Sequence, residues 1–213
     1  MKNYKFTQNW FNHDDLIQFL PLQTQEEIHI LEIGSFEGKS TVWFIDNLLN
    51  NPKSTITCID PWTSYDQKHN SINSYSENLN NKQQFSNLLD GFVFTDEYQT
   101  FLHNIKETTK SSQVNVIKGF SKLVLPNLIT ESKKYDIIFI DGNHTAPYVL
   151  SDAVMSWELL NNNGYMIFDD YLWHLELPET LRPKVAVDDF IKNYSDYLEV
   201  CFSGYRLALK KIK

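Results

Sequence analysis

The residues with most chemistry to offer are three carboxylates and a histidine. Asp141 and His144 lie in Ile140-Asp141-Gly142-Asn143-His144, and Asp169 and Asp170 in Phe168-Asp169-Asp170-Tyr171. Each cluster follows an apolar run, Tyr135–Ile140 or Tyr165–Phe168, that reads as a buried strand. Paired strands lie about 4.8 Å apart, so the three carboxylates can converge at one sheet edge. No basic residue adjoins them in sequence. Carboxylates so placed repel one another unless they are protonated or bridged by a cation. Hard oxygen ligands with waters suit Mg²⁺ or a similar divalent ion, which would bind an acceptor hydroxyl and lower its pKa. His144 is the candidate base for that hydroxyl's proton. His174 stands in reserve, and His13, beside Asp14, reads as part of a cap. The structural alternatives are a simple Asp141-Gly142 turn and an Asp170 that satisfies loop N–H groups.

A second cluster is Leu31-Glu32-Ile33-Gly34-Ser35-Phe36-Glu37-Gly38-Lys39-Ser40. It joins the apolar run Ile28–Ile33 to Thr41–Leu49, whose Val42, Trp43, Ile45, Leu48 and Leu49 recur at helical spacing. A glycine turn between a parallel strand and a helix presents backbone N–H groups where open α/β sheets bind nucleotide-like ligands. Gly34 and Gly38 enclose three residues, whereas a phosphate-binding P-loop requires four. Phe36 stands where a dinucleotide fingerprint has its middle glycine. What remains is a short acidic-glycine loop, Glu-x-Gly-x-x-x-Gly. The next strand, Ser54–Ile59, ends at Asp60-Pro61-Trp62, which places a carboxylate to accept from ribose hydroxyls and an indole to cover an adenine ring.

Strands and helices alternate around these tips. Val114–Ile117 is a third strand, Leu123–Ile129 part of a short helix, Ala146–Leu160 a longer one, and Val185–Tyr194 another. Asn161-Asn162-Asn163-Gly164 reads as a helix stop and turn. Leu198–Phe202 and Tyr205–Lys210 form a closing hairpin around Ser203-Gly204. The expected fold is α/β: a Rossmann-like, seven-stranded, mostly parallel sheet with helices on both faces and a C-terminal antiparallel hairpin. The 213 residues suit a single domain. Residues 63 to about 96 break the rhythm with Asn, Ser, Gln and Tyr, and read as a lid inserted after Asp60.

A formal net charge of −8 argues against a nucleic-acid backbone as substrate. No apolar run approaches the roughly 18 residues of a membrane span, and no signal-peptide core opens the chain. Cys58 and Cys201, both in expected strands, read as reduced core residues, consistent with a cytoplasmic setting.

From Ile30 to about Lys211 the chain resembles the class I S-adenosylmethionine (SAM)-dependent methyltransferases of the methyltransferase 24 group, and is similar to the metal-dependent macrocin-type sugar O-methyltransferases. The resemblance rests on Glu32-Ile33-Gly34-Ser35, Gly38-Lys39-Ser40-Thr41, Asp60-Pro61-Trp62, Lys118-Gly119-Phe120-Ser121, and the Asp141 and Asp169-Asp170 runs. It implies a SAM site of Glu32, Gly34, Ser35, Gly38 and Ser40 at the methionine end. Asp60 and Trp62 would hold ribose and adenine, the Gly119–Ser121 turn would pack near adenine, and Asp141 would also contact the cofactor. It implies Asp141, Asp169 and Asp170 as Mg²⁺ ligands and His144 as base. The reaction implied is methyl transfer to a hydroxyl of a small molecule, a sugar or glycan, by a possible homodimer. Tyr65, Tyr171 and Trp173 are aromatic candidates for stacking on a sugar face. Ile140-Asp141-Gly142 replaces the Asn/Asp-Pro-Pro-Tyr/Phe run of base N-methyltransferases. Two rivals remain: a metal-independent methyltransferase with a histidine base, and a non-catalytic SAM-binding module.

Overall fold

β1 (His29–Ile33) is the centre of the sheet, pairing in parallel with β2 (Thr55–Asp60) on one side and β4 (Tyr135–Ile140) on the other. β3 (Val114–Lys118) adds to β2, and β5 (Leu160–Phe168) to β4, both in parallel. The computed structural model describes residues 2–62 and 96–213. β6 (Leu198–Ser203) and β7 (Leu207–Lys211) form the antiparallel hairpin, with β7 against β5. The order β3-β2-β1-β4-β5-β7-β6 is the expected seven-stranded sheet.

The inner strands are apolar almost throughout because both faces are covered. Alternate side chains divide between two cores. Leu31, Ile33, Ile138, Ile140, Met166 and Phe168 meet α3 (Ser121–Thr130), α4 (Ala146–Leu159) and α5 (Pro183–Tyr194). Ile30, Ile56, Ile137, Phe139 and Ile167 meet α1 (Lys39–Asn47) and α2 (Glu97–Glu107). No helix among the described residues is long and apolar enough to cross a membrane.

Two sequence expectations need amendment. The Asn161–Gly164 cluster is built into the start of β5, where Asn163 takes a φ of 66° and the register against β4 jumps from Tyr135↔Leu160 to Ile137↔Tyr165. Cys58 is a free thiol in the core, but Cys201, also free, is exposed on the sheet's outermost strand, where the register against β7 shifts between Val200 and Phe202. The expected lid falls outside the described residues except for Asp96, whose carboxylate caps α2 by accepting from Gln99 N at 3.2 Å.

An N-terminal strap, for which no sequence pattern was found, crosses the carboxyl edge of the sheet. Lys5 exchanges hydrogen bonds with the Asn104 side chain, each at 2.7 Å, and Thr7 N and Oγ1 donate to Glu37 at 2.7 and 2.8 Å. Phe11 then packs among Trp43, Phe44 and Phe139. The His13 carbonyl accepts from Leu16 N at 3.0 Å in the turn before the short helical segment Leu16–Gln18, but the N-cap position there is Asp15 and not His13, whose ring stacks on Trp43.

The tightest point is where the tips of β1 and β4 meet. Gly34 has a φ of +89°, and a Cβ on it would stand 1.9 Å from the carbonyl oxygen of Asp141. Backbone cannot yield as a flexible side chain can. Gly34→Ala is expected to destabilise the fold by more than about 2 kcal/mol, read as a shift of the urea midpoint. Gly142→Ala, whose Cβ would meet Ile33 Cγ2 at 3.3 Å, should cost less; equal costs would contradict this account of the junction.

Candidate active site

The glycine loop is organised from beneath. Glu32 is wholly buried, and its carboxylate accepts from Ser35 Oγ at 2.7 Å, Ser40 Oγ at 2.6 Å and Thr41 Oγ1. Burial raises its pKa against the pull of these hydroxyls. Glu32 and Ser40 therefore face each other under the loop and do not line its outer surface. Gly38, at φ +82°, leads into α1.

Asp60 and Trp62 hold the loop from the side. Asp60 Oδ2 accepts from Phe36 N at 3.0 Å and Oδ1 from Trp62 N at 2.7 Å, while Trp62 Nε1 donates to Phe36 O at 2.7 Å. Phe36 has a φ of 47°, a conformation costly outside glycine, so this two-sided clamp explains how it is kept there. The Trp62 ring itself is buried between Tyr98 and Phe101. Gly119 N donates to Asp60 O at 3.0 Å, which brings the Gly119–Ser121 turn alongside.

The carboxylates do converge, but not as an unpaired trio. Asp169 is buried in an ion pair with Arg206, itself 4% exposed. The same guanidinium donates to the Asn12 carbonyl and lies over the Phe11 ring, 5.3 Å from its centroid. The expectation of no basic neighbour thus fails: the antiparallel hairpin delivers Arg206 from a place in the chain remote from Asp169. Even so, burial and then Asp170 hold the Asp169 pKa up, to about 6, against Arg206.

Asp170 Oδ2 lies 2.9 Å from His144 Nε2, and its Oδ1 accepts from Tyr205 Oη at 2.8 Å. Burial works to raise the Asp170 pKa, but His144, Tyr205 and Arg206 together bring it below the ordinary value. Burial likewise lowers that of His144, yet Asp170 and then Asp169 outweigh it and the net shift is upward. Asp141 goes well up, through burial and then the charges of Asp169, Asp170 and Glu32. One ligand atom from each of Asp141, His144 and Asp170 lies within 4.8 Å of the others. The set that could hold a cation therefore includes His144, whereas Asp169 is engaged by Arg206.

The remaining candidates are dispersed. Trp173 packs on His144, ring centroids 4.5 Å apart. Tyr171 is a core residue whose hydroxyl donates to Asp188 at 2.9 Å, and His174 pairs with Glu176. Tyr65 lies outside the described residues. Sequence reasoning missed Arg206, Tyr205 and Asp152; the last, on α4, is 2% exposed with the Ser121 hydroxyl beside it.

Two predictions follow from these charges. Arg206→Met leaves Asp169 buried without its counter-charge and unfastens Asn12, and should destabilise by about 3–5 kcal/mol; a urea-midpoint shift below about 1 kcal/mol would refute the clasp. Burial raises the Asp152 pKa to about 7, above the roughly 3.9 of an unfolded chain. The folded state binds that proton more tightly, so the associated stability is complete below about pH 4 and lost as pH rises through about 7. Asp152→Asn should therefore lose less stability than wild type between pH 5 and 8 in urea titrations, and parallel profiles would contradict the shift.

Residues 31–171 match the family model described as methyltransferase domain, of the methyltransferase 24 group. An uncharacterized protein of Acanthamoeba polyphaga mimivirus is 26% identical over 178 residues, covering 81% of this chain and 66% of that protein. The chain thus spans slightly less than two thirds of that curated relative. Among solved structures, an O-methyltransferase from Bacillus cereus in complex with SAH aligns with a TM-score of 0.55 at 17% identity, covering 86% of this chain and 74% of that one. TomG, an O-methyltransferase from Streptomyces achromogenes involved in tomaymycin synthesis and solved with SAM, aligns with a TM-score of 0.56 at 16% identity, covering 89% and 75%. These structures share the fold, and the match over 31–171, which takes in both the glycine loop and the carboxylate edge, settles the family: the chain belongs to the class I methyltransferases of the methyltransferase 24 group.

Proposed function

We propose that the protein is a SAM-dependent O-methyltransferase acting on a hydroxyl of a small molecule, with sugars and glycans the first class to screen. The observation that carries this reading is the His144–Asp170 pair, 2.9 Å long, at the sheet edge that also carries the glycine loop. Gly34, Ser35 and Gly38 would hold the methionine end of SAM, supported from below by Glu32 and Ser40. Asp60 would hold the ribose, Gly119 and Ser121 the adenine side, and Asp141 the region between cofactor and acceptor. Trp62 contributes by fixing Phe36. The fit is supported by the clamp from Asp60 and Trp62 that holds the Phe36 backbone and with it the glycine loop.

Bound SAM supplies an electrophilic methyl group on a cationic sulfur, transferred by direct displacement to an acceptor oxygen about 3–3.5 Å away. The chain's own task is to align and deprotonate that oxygen. With His144 Nε2 turned to Asp170, Nδ1 is the nitrogen that takes the hydroxyl proton, and Asp170 stabilises the imidazolium that results. Tyr205 fixes the other carboxylate oxygen.

A second reading is favoured by the Asp141, His144 and Asp170 cluster, whose donor atoms lie within 4.8 Å of one another. These residues would hold a divalent cation, which would supply Lewis acidity to an acceptor hydroxyl. An imidazole in the set suits Mn²⁺ or Zn²⁺ at least as well as Mg²⁺. The readings exclude each other at His144: Nε2 cannot donate to Asp170 and ligate a cation at once, and Nδ1 cannot both ligate a cation and take the hydroxyl proton.

Isothermal titration with SAM and S-adenosylhomocysteine (SAH), before and after EDTA, is the test. Micromolar binding that survives chelation is expected, and absence of binding to both would sink the methyltransferase reading. Once an acceptor is found, His144→Ala should slow single-turnover transfer at least about 100-fold with SAH affinity within threefold. Activity lost on chelation and restored by Mn²⁺ or Mg²⁺ would instead select the cation reading.

A further inference from the structure

Asp152 occupies a place that stability alone does not explain. It lies in the second turn of α4, 2% exposed, and its Oδ1 has no hydrogen-bond partner among the described residues. Ser156, one turn further on the same helix, is also fully enclosed with its Oγ unpartnered. A buried carboxyl with an unsatisfied oxygen costs free energy that a leucine of similar volume does not. The position of its other contacts gives the reason for a carboxyl.

Those contacts reach two loops that the chain makes far apart. Ser121 opens α3, whose N-cap residue, Phe120, has no side-chain oxygen to offer the helix end. The Ser121 hydroxyl lies against the Asp152 carboxyl, where its pull opposes the burial that raises the Asp152 pKa, so α4 meets the first residue of α3. On the other side, Asp152 Oδ2 is 3.7 Å from the point a Cβ on Gly142 would occupy. The carboxyl thus fills the space under the Gly142 backbone, next to Asp141. Gly119, two residues before Ser121, is in turn bonded to Asp60 O at 3.0 Å.

We propose that Asp152 is a positioning residue of the cofactor pocket, fastening the Gly119–Ser121 turn to the tip of β4 and so setting the separation between the adenine side and Asp141. The proposal rests on the SAM-binding reading above. Asp152 touches neither cofactor nor acceptor; it acts through Ser121 and Gly142. Burial holds much of the group protonated near neutrality, and either form can accept from Ser121.

The test uses the full-length chain and SAH as probe, with Asp152→Asn, Asp152→Leu, Ser121→Ala and the Leu/Ala double variant. SAH affinity is measured by calorimetry, stability by urea titration, and turn mobility by amide hydrogen exchange across residues 119–123 and 141–143. Asp152→Asn keeps an acceptor for Ser121 and should bind SAH within threefold of wild type. Asp152→Leu should bind at least tenfold more weakly with an unchanged or higher urea midpoint, and exchange faster at 119–123. The double variant should exchange no faster at 119–123 than Asp152→Leu, because both changes break one link. Asp152→Leu binding SAH within twofold of wild type would overturn the proposal. So would equal affinity losses in the Asn and Leu variants that merely track their midpoints, since that marks general destabilisation. Wild type failing to bind SAH is a separate result: it overturns the methyltransferase reading, and the positioning role falls with it.

Discussion

The closure of β1 against β4 sets the terms for everything at the sheet edge. Asp141 N donates to Ile33 O at 2.8 Å, and Gly34 N donates to Ile59 O at 2.8 Å, so three strand tips are joined in one line. Gly34 lets the β1 backbone pass so close to the Asp141 carbonyl that no side chain fits between them. The glycine loop, the Asp60 clamp and the Asp141–His144 turn all leave from this line. Their separations are therefore fixed by main-chain hydrogen bonds, which carry little freedom, and the side chains inherit that precision.

Charge balance is the second constraint. The edge gathers Asp141, Asp169 and Asp170, with Glu32 buried close behind. Arg206 takes up one negative charge and His144 another, and burial keeps Asp141 inclined to hold its proton. The two compensations differ in kind. Arg206 is permanently charged and wholly buried, so its pair is structural. His144 is half-buried and titratable, so its pair is the one able to exchange a proton with a ligand.

The sequence made the parallel core legible because buried strands read as apolar runs and helices as periodic ones, and β1, β2 and β4 were found within a residue or two. The strand-tip carboxylates were legible for the same reason: an acidic residue directly after an apolar run falls at a sheet edge. Arg206 and Tyr205 were not, because they sit in a hairpin whose nearness to Asp169 and Asp170 comes from strand order, which local pattern does not encode. Trp62 looked like a ligand-facing ring from its place after Asp60, yet tertiary packing against Tyr98 and Phe101 buries it. Asp152 was invisible because a single acidic residue within a helix usually faces water, and only the packing of α3 beside α4 encloses it.

The Arg206 clasp also bears on the order in which the molecule becomes complete. Its guanidinium joins Asp169 across 37 residues and the Asn12 carbonyl across 194. Contacts of such span form late, since the intervening chain must be ordered before they are rewarded. Strands β1 to β5 can pair during synthesis while the acidic edge is still without its permanent cation. The edge reaches charge balance only when the β6–β7 hairpin docks, and until then a nascent chain carries a self-repelling acidic edge.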